Sequence, residues 1–472
     1  MIWETVIGLE VHVELSTKSK IFCSCSTTFG APPNSQCCPV CTGLPGSLPV
    51  LNRSVVDYAA KVGLALGGTI TPNTAFDRKC YFYPDLPKGY QISQLHLPIS
   101  RGGSLSVGGR SIRIHELHME EDAGRLQHDA QGVQICDFNR CGIPLIEIVT
   151  APDLRSGEEA AAFLEELQSI LRYLKVSDCK MQEGSLRCDV NLSVRPVGSE
   201  LMGVRTEMKN LASLRAVKRA IRYESARQIK VLEQGGTINL ETRRWDEDKE
   251  RSVPMRPKES VWDYRYFPDP DLPPLNLSPQ YLEQLRSELP ELPQAKRERY
   301  SGQWSLPDYD CRMLAQHRAL AEYFEAVVNY GAPPKQAANW ILGEVLRRLA
   351  ADGTGSEEIP LPPSSLARII SLVAEGKLNR NTAVTVFDAV YTSGDDIDSY
   401  VAAHGLAQVS DPSLIQDAAQ RILRANQKSI SDYRAGKEKA FGYLVGQIMR
   451  ELRGQASPSA VHEVLHQILD KQ

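Results

Sequence analysis

An apolar segment near the start of the chain carries an ionisable residue at every second position. Val6 to Leu15 alternates in this way, so Glu10, His12 and Glu14 share one face of a predicted strand. A carboxylate is costly to bury unless a cation or hydrogen-bond donors offset its charge. The segment therefore predicts a sheet with one apolar face and one face on which charged groups meet partners.

Other predicted strands repeat this one-sided polarity. The strand predicted from Leu186 to Arg195 has Arg187, Asp189 and Asn191 on one face. The strand predicted from Gly203 to Lys209 has Arg205, Glu207 and Lys209 on one face. A third, from Pro144 to Thr150, contains Glu147. Glu147 interrupts an otherwise apolar strand, which predicts a cation or a hydrogen-bond donor beside it. Any one of these faces could also be an ordinary solvated strand face. Taken together, they favour a polar concavity lined by the sheet.

A second acidic segment precedes Gly124. His118, Glu120, Glu121 and Asp122 lie within five residues. Oxygen ligands with a single imidazole favour Mg²⁺ or Mn²⁺ and the phosphates that these ions carry. Cations suited to phosphate oxygens are Lys79, Arg187, Arg205 and Lys209. No P-loop or dinucleotide-binding glycine motif occurs, so the residues predict a different kind of nucleotide enzyme, with a carboxylate-held metal.

The cysteines suggest a separate metal site. Cys23 and Cys25 are followed, after twelve residues, by Cys38 and Cys41. This CxC and CxxC spacing predicts a tetrahedral zinc site closed by a short loop, and Cys37 could replace Cys38. Four thiolates leave no open position for a reacting water, so the zinc would be structural. The alternative is a set of unrelated reduced thiols.

The periodicity changes along the chain. Up to about residue 290, short alternating segments and glycine or proline turns surround two predicted helices, Ser156 to Leu174 and Ala212 to Gln234. Ser156 and Glu159 have the form of a capping box. Beyond residue 290 the pattern is helical. The fold class is therefore α+β, with a largely antiparallel sheet followed by all-α regions.

Composition limits the possible functions. The 472 residues suffice for two to four domains, and the net charge of −4 excludes a uniformly basic nucleic-acid binder. The sequence has no 18-residue apolar window and no secretory signal. Because disulfides are typical of secreted proteins, the eleven cysteines are predicted to be reduced thiols or metal ligands. We expect a cytoplasmic protein with no membrane contact.

The C-terminal segment differs in charge from the rest. Residues 421–472 contain nine lysines and arginines against five acids. A predicted helix there exposes two glycines one turn apart. Contact with a phosphate backbone is one interpretation, and a solvated helix face is the other. The candidate RNA-binding residues are Lys437, Lys439, Gly442, Gly446 and Arg450.

Several long motifs together resemble the B subunits of bacterial aspartyl/glutamyl-tRNA amidotransferases. They span almost the whole chain: VIGLEVH from Val6, FDRK from Phe76, YFYPD from Tyr81, HMEEDAG from His118, GSLRCD from Gly184, DYRYFP from Asp263 and FGYLVGQ from Phe441. The resemblance implies a cradle domain of glutamine synthetase/guanidino kinase-like fold over residues 1–292. It also implies a helical domain over 293–407 and a YqeY-type, tRNA-binding tail over 408–472.

The resemblance also implies a reaction and partners. ATP phosphorylates the side-chain carboxylate of Glu on tRNA(Gln) or Asp on tRNA(Asn), and ammonia then displaces phosphate. The A subunit, an amidase, supplies the ammonia, and the small C subunit is the third member of a heterotrimer. With the strand geometry, the resemblance assigns Mg²⁺ to Glu10, His12, Glu120, Glu147 and Asp189. The further catalytic residues are Lys79, Glu121, Arg187, Arg205 and Lys209. The four cysteines match the zinc-bearing members of the family.

Two alternatives remain at this point. One is a stand-alone ligase acting on a small amino acid, which would have no need of the basic tail. The other is a non-catalytic, zinc-bearing RNA-binding module, in which the charged strand faces would take no part in a reaction.

Overall fold

A computed structural model describes residues 2–128, 131–257, 261–407, 412–434, 437–452 and 456–470. The chain divides into two compact units, Met1–Pro293 and Gln294–Gln472. The first unit mixes strands and helices and the second is helical, which confirms the α+β class. The expected start of a tail domain at residue 408 and its end at 472 lie outside the described residues, and the three-domain division stays a prediction.

The first unit contains all the strands of the described chain. They are β1 (Trp3–Glu14), β2 (Thr69–Ile70), β3 (Asn73–Thr74), β4 (Asp77–Cys80), β5 (Tyr90–Ser93), β6 (Ser100–Arg101), β7 (Ser104–Val107), β8 (Arg110–Glu121), β9 (Arg125–His128), β10 (Gln134–Asp137), β11 (Pro144–Thr150), β12 (Leu186–Pro196), β13 (Thr206–Lys209), β14 (Glu241–Asp246), β15 (Arg251–Pro257), β16 (Phe267–Pro268) and β17 (Leu275–Asn276).

Its helices are α1 (Arg53–Ala65), α2 (Gly157–Tyr173), α3 (Leu214–Glu233) and α4 (Pro279–Ser287). The helices that follow are α5 (Pro293–Trp304), α6 (Asp308–Leu314), α7 (Arg318–Asn329), α8 (Pro334–Trp340), α9 (Leu346–Asp352), α10 (Pro363–Ala374), α11 (Arg380–Ser393), α12 (Ile397–Ala403), α13 (Pro412–Ala425), α14 (Gln427–Arg434), α15 (Glu438–Glu451) and α16 (Pro458–Asp470). A π-helical segment, Ile341–Val345, joins α8 to α9.

One ten-stranded sheet dominates the first unit. Its order is β15-β14-β13-β12-β1-β11-β8-β6-β2, and β7 also pairs with β8. Each ladder of this sheet is antiparallel except the parallel pair β13–β14, which confirms a largely antiparallel sheet. The strand β1 lies between β11 and β12, so both of its edges are paired.

The apolar face of this sheet packs against three helices. Val11 and Val13 of β1 are fully buried in the same cluster as Val55 of α1, Phe163 of α2 and Val217 of α3. Burial of such side chains is the main force that holds the helices on the sheet. The opposite face, which carries Glu10 and its alternating neighbours, is left for the polar groups.

The second unit has two separate apolar clusters. One extends from Tyr300 to Val401, and the other from Ile415 to Leu469. Within the described ranges, no helix is both long enough and apolar enough to span a bilayer.

The predicted element boundaries need small corrections. The strand predicted from Gly203 begins at Thr206, where the ladder with β12 starts. A β-carbon on Gly203 would lie 2.2 Å from the Val194 carbonyl oxygen, so only glycine fits there, beside β12. The helix predicted from Ala212 to Gln234 spans Leu214–Glu233.

The capping prediction for α2 is half right. Ser156 caps the helix by accepting a hydrogen bond from the Glu159 amide, 3.1 Å away. The Glu159 carboxylate, however, accepts from the Arg155 amide (2.8 Å) and from Arg110 (2.8 Å), instead of from the Ser156 amide. The Arg110 guanidinium thus competes for the carboxylate that a capping box would use.

Candidate active site

Charged side chains line the second face of the sheet across four adjacent strands. The register sets His12 opposite Glu147 on β11 and opposite Arg187 on β12, and sets Glu147 opposite His118 on β8. Directly opposed residues in an antiparallel ladder are close enough for their side chains to interact. Four separate sequence segments therefore meet in one row.

His12, Glu120 and Glu147 form the first carboxylate cluster. One potential ligand atom from each lies within 4.8 Å of the others. The Nε2 atom of His12 is 3.4 Å from Glu120 Oε1 and 3.4 Å from Glu147 Oε2. Nε2 of His118, a residue not included in the predicted ligand set, is 2.9 Å from the same Glu147 oxygen. These donors could hold a divalent cation.

The carboxylates keep His12 charged at neutral pH. Burial by itself would lower the pKa of His12, but Glu147 and Glu120 outweigh it and raise the pKa to about 9. Burial likewise opposes the charge of Glu147, yet the His118 and His12 rings hold the pKa of that carboxyl well below its usual range. A metal ion needs the neutral imidazole, so metal binding here would release a proton.

A second cluster lies on the β12 side. Glu10, Asp189 and Glu207 also place one potential ligand atom each within 4.8 Å of the others. The Asn191 amide donates to Glu10 Oε1 (2.8 Å), and the Thr242 hydroxyl donates to Glu207 Oε2 (2.7 Å). Neighbouring strands thus orient two of the three carboxylates.

The residues predicted as one metal set divide between these two clusters. Glu10 and Asp189 belong to the second, and His12, Glu120 and Glu147 to the first. Glu207, which completes the second cluster, was not assigned to the metal by the sequence analysis. Its alternation with Lys209 placed it on a polar strand face, but only the sheet register, which pairs Glu207 with Asn191, brings it to the second cluster.

Two of the predicted cations contact acidic side chains: Lys209 contacts the second cluster, and Arg187 contacts Asp122, which lies outside both clusters. Lys209 contacts the Asp189 carboxylate, and its Nζ lies 3.5 Å from Glu207 Oε1. Arg187 donates from Nη2 to Asp122 Oδ2 (2.7 Å), and its Nε–H is buried with no hydrogen-bond partner among the residues described. A buried, unsatisfied N–H is costly, so an acceptor in the adjoining space would be favoured.

Lys79 approaches from a smaller sheet, in which β4 lies between β16 and β5. Its Nζ is 4.7 Å from the centre of the Tyr264 ring and 5.9 Å from that of Tyr81, both within cation–π range. Burial would lower the pKa of Lys79, but the Glu120 and Glu147 carboxylates outweigh it and raise the pKa. The ammonium is therefore charged and held by aromatic rings.

Two predicted catalytic residues are not brought to this site. Glu121 follows Glu120 on β8 and so faces the other way; its carboxylate accepts from the Ile92 amide (2.9 Å) and contacts Lys88. Arg205 precedes β13, is exposed, and lies outside the cavity lining. Glu121 was included because it adjoins Glu120 in sequence, although strand alternation turns it to the other face. Arg205 was included because it alternates with Glu207 and Lys209, but the strand begins only after it, at Thr206.

The polar face opens into a cavity of about 810 Å³. Six predicted site residues line it: His12, Lys79, Glu120, Arg187, Asp189 and Lys209. Part of the wall comes from the segment between the two cysteine pairs, which contributes Thr27, Thr28, Phe29, Gly30, Ala31 and Gln36. The cavity is large enough for a nucleotide-sized ligand.

The four predicted zinc ligands converge. The sulfur atoms of Cys23, Cys25, Cys38 and Cys41 all lie within 4.8 Å of one another. The Cys37 thiol instead donates to the Asn34 carbonyl oxygen (3.2 Å), which resolves the choice between Cys37 and Cys38 for this cluster. A hydrogen bond from Cys23, and also the nearby Lys20 ammonium, lower the pKa of Cys41 to about 4.

The C-terminal helix α15 has the predicted two-sided form. Leu444 and Ile448 are fully buried, whereas Gly442 and Gly446 are exposed. Lys439 and Arg450 are exposed as well, and Lys437 is 2.9 Å from the Asp432 carboxylate. Lys437 therefore offers less net charge to a ligand than its sequence position suggested.

The pKa of His12 provides a test of the first cluster. In the metal-free protein, Glu147→Gln should lower the pKa of His12 from about 9 towards its ordinary value of 6.5, because Glu147 is the largest charge that raises it. The ion pair stabilises the fold below pH 6.5, and its contribution should disappear as the pH rises through 9. NMR titration of isotope-labelled histidine would measure this. Glu158→Gln, an exposed acid on α2, is the control, and equal His12 titration in both variants would contradict the assignment.

Two family models match the chain. One is described as the GatB/GatE catalytic domain and matches residues 5–283, and the other as the GatB domain and matches residues 322–469.

Curated relatives are similar over the full length. A protein of Lachnoclostridium phytofermentans is 51% identical, with 100% of this chain and 99% of the relative covered. One from Caldicellulosiruptor bescii is 52% identical with full coverage of both, and one from Thermodesulfovibrio yellowstonii is 49% identical with 99% and 100% covered. All three are named as the B subunit of an aspartyl/glutamyl-tRNA(Asn/Gln) amidotransferase. With its catalytic-domain match and full-length similarity, the chain belongs to the family of aspartyl/glutamyl-tRNA(Asn/Gln) amidotransferase B subunits.

Proposed function

We propose that this chain catalyses the ATP-dependent transamidation of Glu-tRNA(Gln), Asp-tRNA(Asn) or both. It would act in the cytoplasm, in a heterotrimer with an amidase (the A subunit) and a small third protein (the C subunit). The amidase would hydrolyse glutamine and supply ammonia. The names of the relatives support the tRNA-dependent amidotransferase role, and the charged cavity supports the chemistry.

One observation carries the proposal: a single cavity is lined by members of both carboxylate clusters, His12 and Glu120 of the first and Asp189 of the second, and by three cations. Phosphoryl transfer to a carboxylate brings two anions together, so the site must neutralise both. Arg187, Lys209 and Lys79 line this cavity, and each is close to acidic groups that keep it charged. A stand-alone binding module would have no need for this balance of buried charge.

The donor set suits Mg²⁺, because carboxylate oxygens outnumber imidazole nitrogens across the two clusters. We assign the ion or ions to Glu10, His12, Glu120, Glu147 and Asp189, and add Glu207 from the geometry. When bound, Mg²⁺ would offset the charge of the transferred phosphoryl group. Asn191 and Thr242 would hold Glu10 and Glu207 in position for it.

In the proposed reaction, a side-chain carboxylate oxygen of the esterified amino acid attacks the γ-phosphorus of ATP, and ADP leaves. The lone pair of ammonia then attacks the carbonyl carbon of the acyl phosphate. Inorganic phosphate leaves with the electrons of the broken C–O bond, and the nitrogen loses a proton to give the amide. Arg187, whose side chain is about one-third exposed, and Lys209 would bind phosphate oxygens from the cavity lining. Lys79 would stabilise charge on the acyl group.

The helix α15 is proposed to contact tRNA. Its exposed face includes Lys439, Gly442, Gly446 and Arg450, with Lys437 at its start. The lysine and arginine side chains would bind backbone phosphates, and the glycines would allow the RNA to approach the helix closely.

The cysteine cluster is proposed to bind one structural Zn²⁺. Four sulfur donors form a closed tetrahedral set, and the Lys20 ammonium, 3.6 Å from Cys41, would offset part of the thiolate charge. The reaction would not proceed through this ion.

The identity of the substrate gives the main test. In the purified complex, Glu-tRNA(Gln) or Asp-tRNA(Asn) should stimulate ATP hydrolysis and be converted to the amide, whereas free glutamate should not. His12→Ala should reduce transamidation by about 100-fold or more, because it removes a group that organises the charge at the reacting centre. Glutaminase activity and complex assembly should persist.

His115→Ala is a matched control, because His115 is an exposed histidine of the same sheet, on β8. It should leave transamidation unchanged. Stimulation by free glutamate equal to that by the charged tRNA would favour the small-substrate ligase. Full activity of His12→Ala would remove the charged face from the mechanism and favour the non-catalytic module.

The tail assignment predicts a salt-dependent loss of affinity. Lys439→Glu with Arg450→Glu should weaken tRNA binding and lower the slope of log K against log salt by about 1 for each phosphate contact removed. Arg312→Glu with Lys377→Glu, on exposed parts of the helical unit, is the charge-matched control. If both double variants bind tRNA with the same affinity and slope, α15 does not contact the RNA.

The zinc assignment predicts different metal contents for adjacent cysteines. Elemental analysis of Cys38→Ser should show loss of the bound zinc, because one ligand of the four-sulfur set is removed. Cys37→Ser should retain it, because Cys37 lies outside the cluster. Equal zinc content in the two variants would rule out the assigned ligand set.

A further inference from the structure

We propose that Phe29 stacks on a nucleobase at the wall of the cavity, and that this base is the 3′-terminal nucleotide of the acceptor tRNA. This inference rests on the proposed function, which takes an aminoacylated tRNA as substrate. It assigns a role to the segment between the cysteine pairs, residues 26–37, here named the cysteine loop.

The position of Phe29 has no explanation in the packing of the fold. Its side chain is 69% exposed, and it nevertheless lines the same cavity as His12 and Lys79. An aromatic ring left this exposed gains little from folding. The adjoining Gly30 adopts φ +80°, which disfavours any L side chain, and allows the turn that follows the ring.

The cysteine loop is held at several points, so the ring is presented by an ordered segment. The loop connects Cys25 with Cys38, two members of the sulfur cluster. The backbone N–H of Asn34 donates to Asp137 Oδ1 (2.9 Å), and the backbone N–H of Gln36 donates to Asn139 Oδ1 (2.7 Å). A contact residue fixed before binding loses less conformational freedom when its ligand arrives.

Two cationic side chains also border this cavity. Arg125 is exposed, and Arg140 is fixed by donation from Nε and Nη2 to the Ala123 and Gly124 carbonyl oxygens (3.0 and 2.9 Å). Both arginines line the cavity with Phe29. An aromatic platform beside cations is the combination that binds a base together with its backbone phosphate in single-stranded nucleic acids.

The chemistry of the substrate favours the RNA as the source of the base. The amino acid is esterified to the terminal ribose, so only that ribose and the amino acid itself separate the terminal base from the reacting carboxylate. Phe29 lines the same cavity as His12, Glu120 and Asp189, so a base stacked on it would share the cavity with the candidate reacting centre. ATP also carries a nucleobase, and the experiment separates the two sources.

The test compares Phe29→Ala with Phe29→Tyr in the purified heterotrimer. Phe29→Ala should raise KM for Glu-tRNA about tenfold, which corresponds to about 1.4 kcal/mol, and leave KM for ATP and glutaminase activity unchanged. Phe29→Tyr should keep KM for Glu-tRNA near the original value, because it retains the stacking surface. Phe82→Ala is the matched control, because Phe82 is 78% exposed and lies outside this cavity lining.

A binding measurement gives a second readout that does not depend on turnover. Uncharged tRNA with 2-aminopurine as its terminal base should lose fluorescence on binding the original complex and the Phe29→Tyr variant, and lose less with Phe29→Ala. An unchanged KM for Glu-tRNA together with unchanged quenching in Phe29→Ala would overturn the inference.

Other outcomes also decide the question. If Phe29→Ala raises only the KM for ATP, the stacked base belongs to ATP. If Phe29→Ala fails to assemble into the heterotrimer, Phe29 belongs to a protein interface. Either result overturns the inference. If the original complex transamidates neither Glu-tRNA(Gln) nor Asp-tRNA(Asn), the proposed function fails, and the fluorescence measurement still reports on stacking. If it uses only Asp-tRNA(Asn), the KM comparison is made with that substrate. If the original complex is active and Phe29→Ala keeps both the KM for the charged tRNA and the quenching, only the role of Phe29 fails.

Discussion

The antiparallel register of β1 with β11 and β12 is the constraint on which the candidate site depends. In this register Glu10, His12 and Glu14 lie on the polar face of the sheet, and Val11 and Val13 lie on the face that packs against the helices. If the pairing of β1 slipped by one residue, Glu10, His12 and Glu14 would point into the apolar layer between the sheet and the helices. Because burying an unpaired charge costs several kcal/mol, the apolar residues and the ionisable residues specify the same register.

Within that register, the site is a set of opposite charges that offset one another. Lys209 contacts Asp189, Arg187 pairs with Asp122, and the His12 imidazole lies between two carboxylates. Buried ion pairs add little net stability compared with apolar packing. Their concentration on one face is therefore better explained by what they bind than by what they contribute to folding. Removal of one partner leaves the other charge uncompensated, so the groups act as a unit.

Periodicity predicted the elements that carry the site with small errors, because local spacing determines which residues share a face. The strand β11 and the helix α2 came from alternation and helical spacing in this way. Contacts across the sheet were harder to predict. His118 and Glu207 were missed because their partners, Glu147 and Glu10, lie on other strands. Glu121 was included because it adjoins Glu120 in sequence, although alternation turns it away.

Local spacing was enough to predict the α+β class, the alternating charged face of β1, the type of donor atoms available and the four cysteines that converge. Folding was needed to show that the predicted metal ligands form two clusters, that Cys38 and not Cys37 joins the sulfur cluster, and that the cysteine loop contributes part of the cavity wall. These features depend on the order of the strands. The sheet sets β1 beside β11 and β12, which follow it by more than a hundred residues, and local spacing carries no information about such neighbours.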